Sequence, residues 1–251
     1  MHLDTHIPPH LPPHPPLDRY GKAPQARRRF VRELFDSGAP HYDRIESAMS
    51  LGSGYGYRRS ALRRHGLVPG MRVLDVATGT GLVARAAMEL LGPKGEVVGL
   101  DPSRGMLDVC RGVPRVSLVQ GSGDSLPFAD GSFDFVTMGY ALRHVDDIQA
   151  TFREYRRVLR PGGRVLILEI SRPDGPVGRA FAGFYFGTLV PLAARVTLGG
   201  HAAQQMMAYY WDTIRECVPP EAILDALGRA GFDASERIRS GGIFSEFTAL
   251  A

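Results

Sequence analysis

From Leu67 onward the chain alternates short apolar runs with amphipathic stretches, the rhythm of strands and helices taken in turn. Arg72–Ala77, Glu96–Leu100, Val116–Gln120, Phe133–Met138 and Arg164–Glu169 read as strands, and Leu82–Leu91 and Ala150–Leu159 as helices between them. Strand, helix, strand at this interval needs crossover connections, so the pattern predicts an α/β fold with a doubly wound, mostly parallel sheet. Functional residues are then expected at the strands' carboxyl ends. Upstream, from about Arg27, RRRFVRELFD and YDRIESAMS carry apolar residues at helical spacing and predict a helical lid over residues 23–66. Downstream of the fifth strand, Ala180–Ala194 is an apolar stretch interrupted by Pro191, too short to span a bilayer, and predicts a helical cap within residues 172–220. Phe184, Tyr185 and Tyr209 are candidates to roof an acceptor there, although any one of them could simply pack the cap onto the sheet. The end of the chain, GFDASERIRSGGIFSEFTALA, predicts a closing hairpin with Gly241-Gly242 at its turn, completing a core of residues 67–171 and 221–251.

Composition narrows this little. Of 251 residues 22% are charged, and the formal net charge is +4, with Lys and Arg scattered, so no nucleic-acid partner is expected. Peripheral association with an anionic membrane stays open, as does a homodimer. Cys110 and Cys217 lack disulfide or zinc spacing, which fits a reducing cytoplasm and no metal. The opening MHLDTHIPPHLPPHPPLDRY places His2, His6, His10 and His14 at regular intervals, but the prolines forbid the helix that would align them. Residues 1–22 are therefore expected to be a disordered tail, and they lack the basic-then-apolar order of a signal peptide.

The chemistry is concentrated in VLDVATGTGLVAR. A glycine-rich turn between strand and helix presents unpaired backbone N–H groups to a nucleotide, and Gly79-Thr-Gly81-Leu-Val-Ala84 with Asp101 at the end of the next strand suits a dinucleotide. Asp75 shifts the balance. A carboxylate aimed into the turn disfavours pyrophosphate and suits the sulfonium and ammonium of S-adenosylmethionine. Asp101 then serves the ribose hydroxyls, and Met106 with Ser122–Phe128 the adenine. A plainer reading has Asp75 capping the turn and Asp101 the next helix.

With these residues in view, VLDVATGTG, VVGLDPSRGML, SGDSLPFADGSFDFVT and RVLRPGGRVLILE resemble a class I S-adenosylmethionine-dependent methyltransferase across about Leu67 to Ile170. FDSGAPHYDRIESAMSLG, GYALRHVDD and ILEISRP resemble more narrowly the ubiquinone/menaquinone-biosynthesis C-methyltransferases. The resemblance implies a seven-stranded Rossmann-like sheet, S-adenosylmethionine as methyl donor with S-adenosylhomocysteine as product, and an apolar, aromatic or phenolic acceptor. It implies cofactor contacts at Asp75, Thr78, Gly79, Thr80, Gly81, Asp101, Pro102, Met106, Ser122, Gly123, Asp124, Ser125, Gly139 and Tyr140. The chain departs from the family pattern at Arg143-His144, where Arg-Asn is usual, and at Leu82, where an acidic residue is usual. Methylation at a phenolic ring carbon asks for a base or a cation beside the phenolate, so Arg143 is expected to stabilise the oxyanion, His144 to accept the proton and Tyr42 to position the ring. O- or N-methylation of a secondary metabolite, or a catalytically silent subunit on the same plan, stays open.

Overall fold

The computed structural model describes residues 10–21, 23–50, 52–171, 175, 178, 180, 183–189, 200–240 and 243–251. The sheet is built from β1 (Arg72–Val76), β2 (Glu96–Asp101), β3 (Val116–Gln120), β4 (Phe133–Gly139), β5 (Leu159–Ile170), β6 (Asp233–Ser240) and β7 (Phe244–Leu250). Their order is β3-β2-β1-β4-β5-β7-β6, with β7 antiparallel to both of its neighbours and the remaining pairs parallel. The order reverses between β1 and β4, which opens a crevice at their carboxyl ends.

The two-residue period of the strands sends alternate side chains to opposite faces. Leu74, Val136 and Ile167 join Phe152 and Tyr155 of α5 (Ile148–Val158) and Leu227 of α7 (Pro220–Arg229) in one buried cluster. Their neighbours Val73, Phe135 and Leu166 pack on the other face against α2 (Gly54–Arg64) and α3 (Leu82–Leu91). A third cluster lies outside the sheet, where Leu34 and Ile45 of α1 (Pro24–Met49) meet Met206, Met207 and Tyr209 of α6 (Gly200–Glu216) and Tyr20. This packing draws α1 over the crevice.

Helix starts follow local chemistry. Ser103 caps α4 (Arg104–Cys110) by accepting from Met106 N, and Asp147 caps α5 by accepting from Gln149 N. Asp36 of α1 adds to the α4 cap, accepting from Gly105 N at 2.8 Å and Ser103 Oγ at 2.6 Å, which ties the lid to the sheet's carboxyl edge.

The segment expected as a disordered tail through residue 22 is packed from residue 10 on. Leu11, His14 and Tyr20 are buried, Leu11 N donates to Asp147 Oδ1, and Ile148 N and Val218 N donate to the carbonyls of Leu11 and Pro13. Arg19 and Tyr20 both reach Asp212 of α6. Proline does forbid a helix here, as expected, but an extended backbone leaves its carbonyls free to accept from neighbouring elements. The result is a strap across the lid.

Much of the expected cap lies outside the described residues, as do Phe181 and the hairpin turn at Gly241-Gly242. Within it, Tyr185–Leu189 forms a π-helical turn beside α6. Among the described residues no helix is long and apolar enough to cross a membrane.

Candidate active site

The crevice holds two cavities. The first, about 200 Å³, opens where β1, β2 and β4 end. After Val76 the backbone turns through Ala77 at φ +53 and Gly79 at φ +58, and after β4 it turns through Tyr140 at φ +60. Left-handed conformations at Ala77 and Tyr140 are sparsely populated for residues with a Cβ, and both sit on the cavity wall. Gly79 also lines the wall, and a Cβ built there meets nothing within 4 Å, so the turn leaves open space for a ligand to approach the backbone. Gly81 faces inward instead: at φ +89 it starts α3, and a Cβ there would stand 2.6 Å from Cys110 Sγ.

Asp101 stands at the cavity edge, accepting from Gly79 N at 2.9 Å and Ser103 N at 2.8 Å. Burial raises its carboxyl to about 6, against the lowering pull of those two amides. Pro102, Met106, Ser122, Gly123, Asp124 and Gly139 line the same cavity, joined by Tyr42, Tyr140, Arg143, His144 and Tyr209.

Five residues expected at the cofactor, Asp75, Thr78, Thr80, Gly81 and Ser125, do not line the cavity. Asp75 is fully buried beneath the turn, because the chain reverses at Ala77 and lays Thr78 over it. Its Oδ2 accepts from Thr78 Oγ1 at 2.7 Å and its Oδ1 has no partner. Burial pushes the Asp75 carboxyl up to about 7, and its bond with Thr78 braces the turn. Thr80 donates to Asp43 of α1 at 2.5 Å and so fastens the lid, while Ser125 closes a tight bridge with Ser122. Phe184 is 61% exposed, and neither it nor Tyr185 lines either cavity. The roof comes instead from α1, α6 and the strap, through Phe35, Tyr210 and His14.

The second cavity, about 600 Å³, lies between α2, the C-terminal part of α1 and the end of the sheet at Ile170, Ser240 and Phe244. Tyr42, Tyr140, Arg143 and Tyr210 line both cavities and form a partition between them. Arg143, 2% exposed, gives one Nη to Glu169 at 2.7 Å, lies 5.1 Å from the Tyr210 ring centroid and leaves its Nε without a partner. Its nearby carboxylate in sequence, Asp146, is taken instead by Arg27 and Arg28 of α1. His144 stacks on Tyr209 and Tyr210 and shares a 3.0 Å hydrogen bond through Nδ1 with the Tyr209 hydroxyl, leaving Nε2 free. Burial, then the charge of Arg143, then His14, hold its pKa well below 6.5. Burial raises the pKa of both Tyr42 and Tyr210, whose hydroxyls influence each other across the partition.

Glu169 and Arg58 were not singled out from the sequence, Tyr210 stands out there only as one more aromatic near Tyr209, and His14 only as part of a tail. Glu169 left a local trace, as a carboxylate ending an otherwise apolar strand. The others reach the site only through tertiary packing.

Residues 22–250 match the model of the ubiE/COQ5 methyltransferase family. A demethylmenaquinone methyltransferase of Geobacillus kaustophilus is 36% identical over 216 residues, covering 83% of this chain and 90% of its own. A ubiquinone/menaquinone biosynthesis C-methyltransferase of Hahella chejuensis is 36% identical over 211 residues, covering 80% and 82%. Among solved structures, the phosphoethanolamine N-methyltransferase 2 of Haemonchus contortus, in complex with S-adenosyl-L-methionine, superposes at a TM-score of 0.63 with 20% identity over 87% of this chain and 59% of that one. A SAM-dependent methyltransferase of Aquifex aeolicus superposes at 0.57 with 19% identity over 77% and 88%. At these identities the two structures speak for the fold.

Proposed function

The chain belongs to the ubiE/COQ5 methyltransferase family and is an S-adenosylmethionine-dependent methyltransferase, and from that premise we propose that it methylates a ring carbon of an apolar, hydroxylated quinone precursor. In this reading the first cavity takes S-adenosylmethionine and the second the acceptor. The observation that carries it is the partition, four side chains common to a cavity edged by carboxylates and a larger one lined mostly by apolar surface. Relatives named for demethylmenaquinone and ubiquinone/menaquinone methylation support the acceptor class.

The first cavity suits the cofactor. Gly79 leaves room at the turn, Asp101 offers a carboxylate for ribose hydroxyls, and Pro102 and Met106 give apolar cover for adenine. When bound, S-adenosylmethionine supplies an electrophilic methyl on its sulfonium.

Everything else falls to the chain. Arg143, held by Glu169 and Tyr210, presents its free Nε–H at the partition, where it can stabilise an acceptor oxygen as phenolate. Phenolate charge delocalises onto the neighbouring ring carbons, which makes carbon the nucleophile. His144 is neutral at working pH and borders the first cavity beside the partition, so an acceptor hydroxyl that reaches across the partition meets its free Nε2 as a base. Tyr42, which lines both cavities beside Arg143, orients the ring, and the buried Arg143 and Tyr210 keep water from the reacting oxygen.

Incubation with S-adenosylmethionine and a panel of prenylated demethyl-hydroquinones, simple phenols and amines tests the reading. Mass and NMR analysis should find a new carbon-bound methyl on the hydroquinones. Methyl ethers or N-methylamines as the sole products, or no transfer at all, would overturn it.

A further inference from the structure

The second cavity is lined mostly by apolar surface, yet three buried donors on its wall have no acceptor: Arg143 Nε, Arg58 Nε and the Tyr57 hydroxyl. Folded proteins leave few buried polar atoms unpaired, and removing such a donor from water costs free energy unless a ligand answers it. Arg143 belongs to the partition. Arg58 and Tyr57 belong to α2, on a different element.

Both are held in place by their surroundings. Arg58, 3% exposed, gives Nη1 to Glu46 of α1 at 2.7 Å, and its guanidinium lies 5.0 Å from the Tyr140 ring centroid. A Cβ on Gly54 would strike both Glu46 and Arg58, so this pair is seated where the chain carries no side chain. Tyr57 packs against Phe244 at 5.0 Å between ring centroids. Burial first, then the charges of Tyr140 and Glu246, keep the Tyr57 hydroxyl protonated, although Glu246 does not meet it in hydrogen-bond geometry. Glu246 is itself occupied by Arg64 and His65. Tyr57 and Arg58 therefore offer donors to an apolar space that holds no acceptor for them.

We propose, resting on the reading of this cavity as the acceptor site, that Tyr57 and Arg58 form a second oxygen-binding point, so that the acceptor is gripped by one oxygen at Arg143 and another at this α2 pair. The pair positions the ring and selects acceptors with two oxygens over those with one free hydroxyl.

The test compares a hydroquinone with the matching phenol that lacks the second oxygen, using the full chain with saturating S-adenosylmethionine. Wild type should favour the hydroquinone in kcat/KM by at least about tenfold. Tyr57→Phe, which removes only the unanswered hydroxyl, should lower kcat/KM for the hydroquinone by about tenfold, leave the phenol within about twofold, and leave Tm unchanged or higher. Arg58→Lys, which keeps a cation for Glu46 but removes Nε, should act in the same direction. Equal losses on both acceptors, or no loss in either variant, would overturn the proposal and leave the acceptor assignment standing. No transfer by wild type to either compound would overturn both.

Discussion

The two cavities differ in how their polar atoms are satisfied. At the carboxylate end of the first, Asp101 is answered by Gly79 and Ser103, and behind it Asp36 by the start of α4 and Asp43 by Thr80, so those carboxylates already have partners. Around the second, Arg143, Arg58 and Tyr57 hold donors with nothing to meet. The first cavity is thus preorganised by backbone turns, and a ligand there shares partners that exist without it. The second keeps unanswered polarity in an apolar setting, where a ligand gains most by supplying the missing acceptors.

The largest break in this contrast should come from Arg143, which serves both sides. Arg143→Ala is expected to cut kcat by about 10²-fold or more through loss of oxyanion stabilisation. It should also cost about 3–5 kcal/mol in denaturant unfolding, because Glu169 is left buried and unpaired. Adding Glu169→Gln should restore much of the stability and none of the turnover, and recovery of both together would reduce Arg143 to a structural part. Next, Asp101→Ala should weaken S-adenosylmethionine by at least about tenfold in calorimetry while the acceptor KM holds, and a matched change in acceptor KM would erase the division between cavities.

His144 sharpens the comparison through pH. Its pKa lies well below 6.5, so an ascending limb of kcat that belongs to it sits well below pH 6.5 and vanishes in His144→Asn. A limb near 6.5 that survives the substitution would assign proton removal elsewhere. Asp75 gives a smaller effect, with a sign that follows from its raised carboxyl. The folded state binds this proton more tightly than the unfolded chain, so the contribution is fully present below pH 3.8 and lost as pH rises through about 7. The Tm of ligand-free wild type should fall relative to Asp75→Asn between pH 5 and 8 by roughly a few degrees. Smallest of all, Phe184→Ala should leave both KM values within about twofold, since the side chain is exposed and lines neither cavity. A selective rise in acceptor KM would return the cap to the site.

What the sequence disclosed follows the same division. The turn from Ala77 to Gly81, Asp101 and Ser122–Asp124 are short consecutive stretches whose geometry follows from strand ends and glycines, and α3 and β3 fall at their expected limits. The rest of the site is an assembly of distant parts. Arg143 meets Glu169 across 26 residues and His144 meets Tyr209 across 65, and no local pattern announces such pairs. Asp75 was legible as a residue of the turn but not in its direction, which depends on how the chain reverses above it. The strap differs from the expected tail for a related reason: the prolines exclude a helix but not order, and the free carbonyls of Leu11 and Pro13 find partners on α5 and before α7.

The partition also governs how acceptor preference can drift by mutation. A substitution at Tyr42, Tyr140, Arg143 or Tyr210 alters the surroundings of two ligands at once, so selection for one is constrained by the other. Ser53, Gly56 and Ser240 border the second cavity alone, and a Cβ built on Gly56 meets nothing within 4 Å. A random library screened for new acceptors should therefore gather its first replacements at these three positions with donor affinity intact. The four shared side chains are pleiotropic and will change late, or in concert.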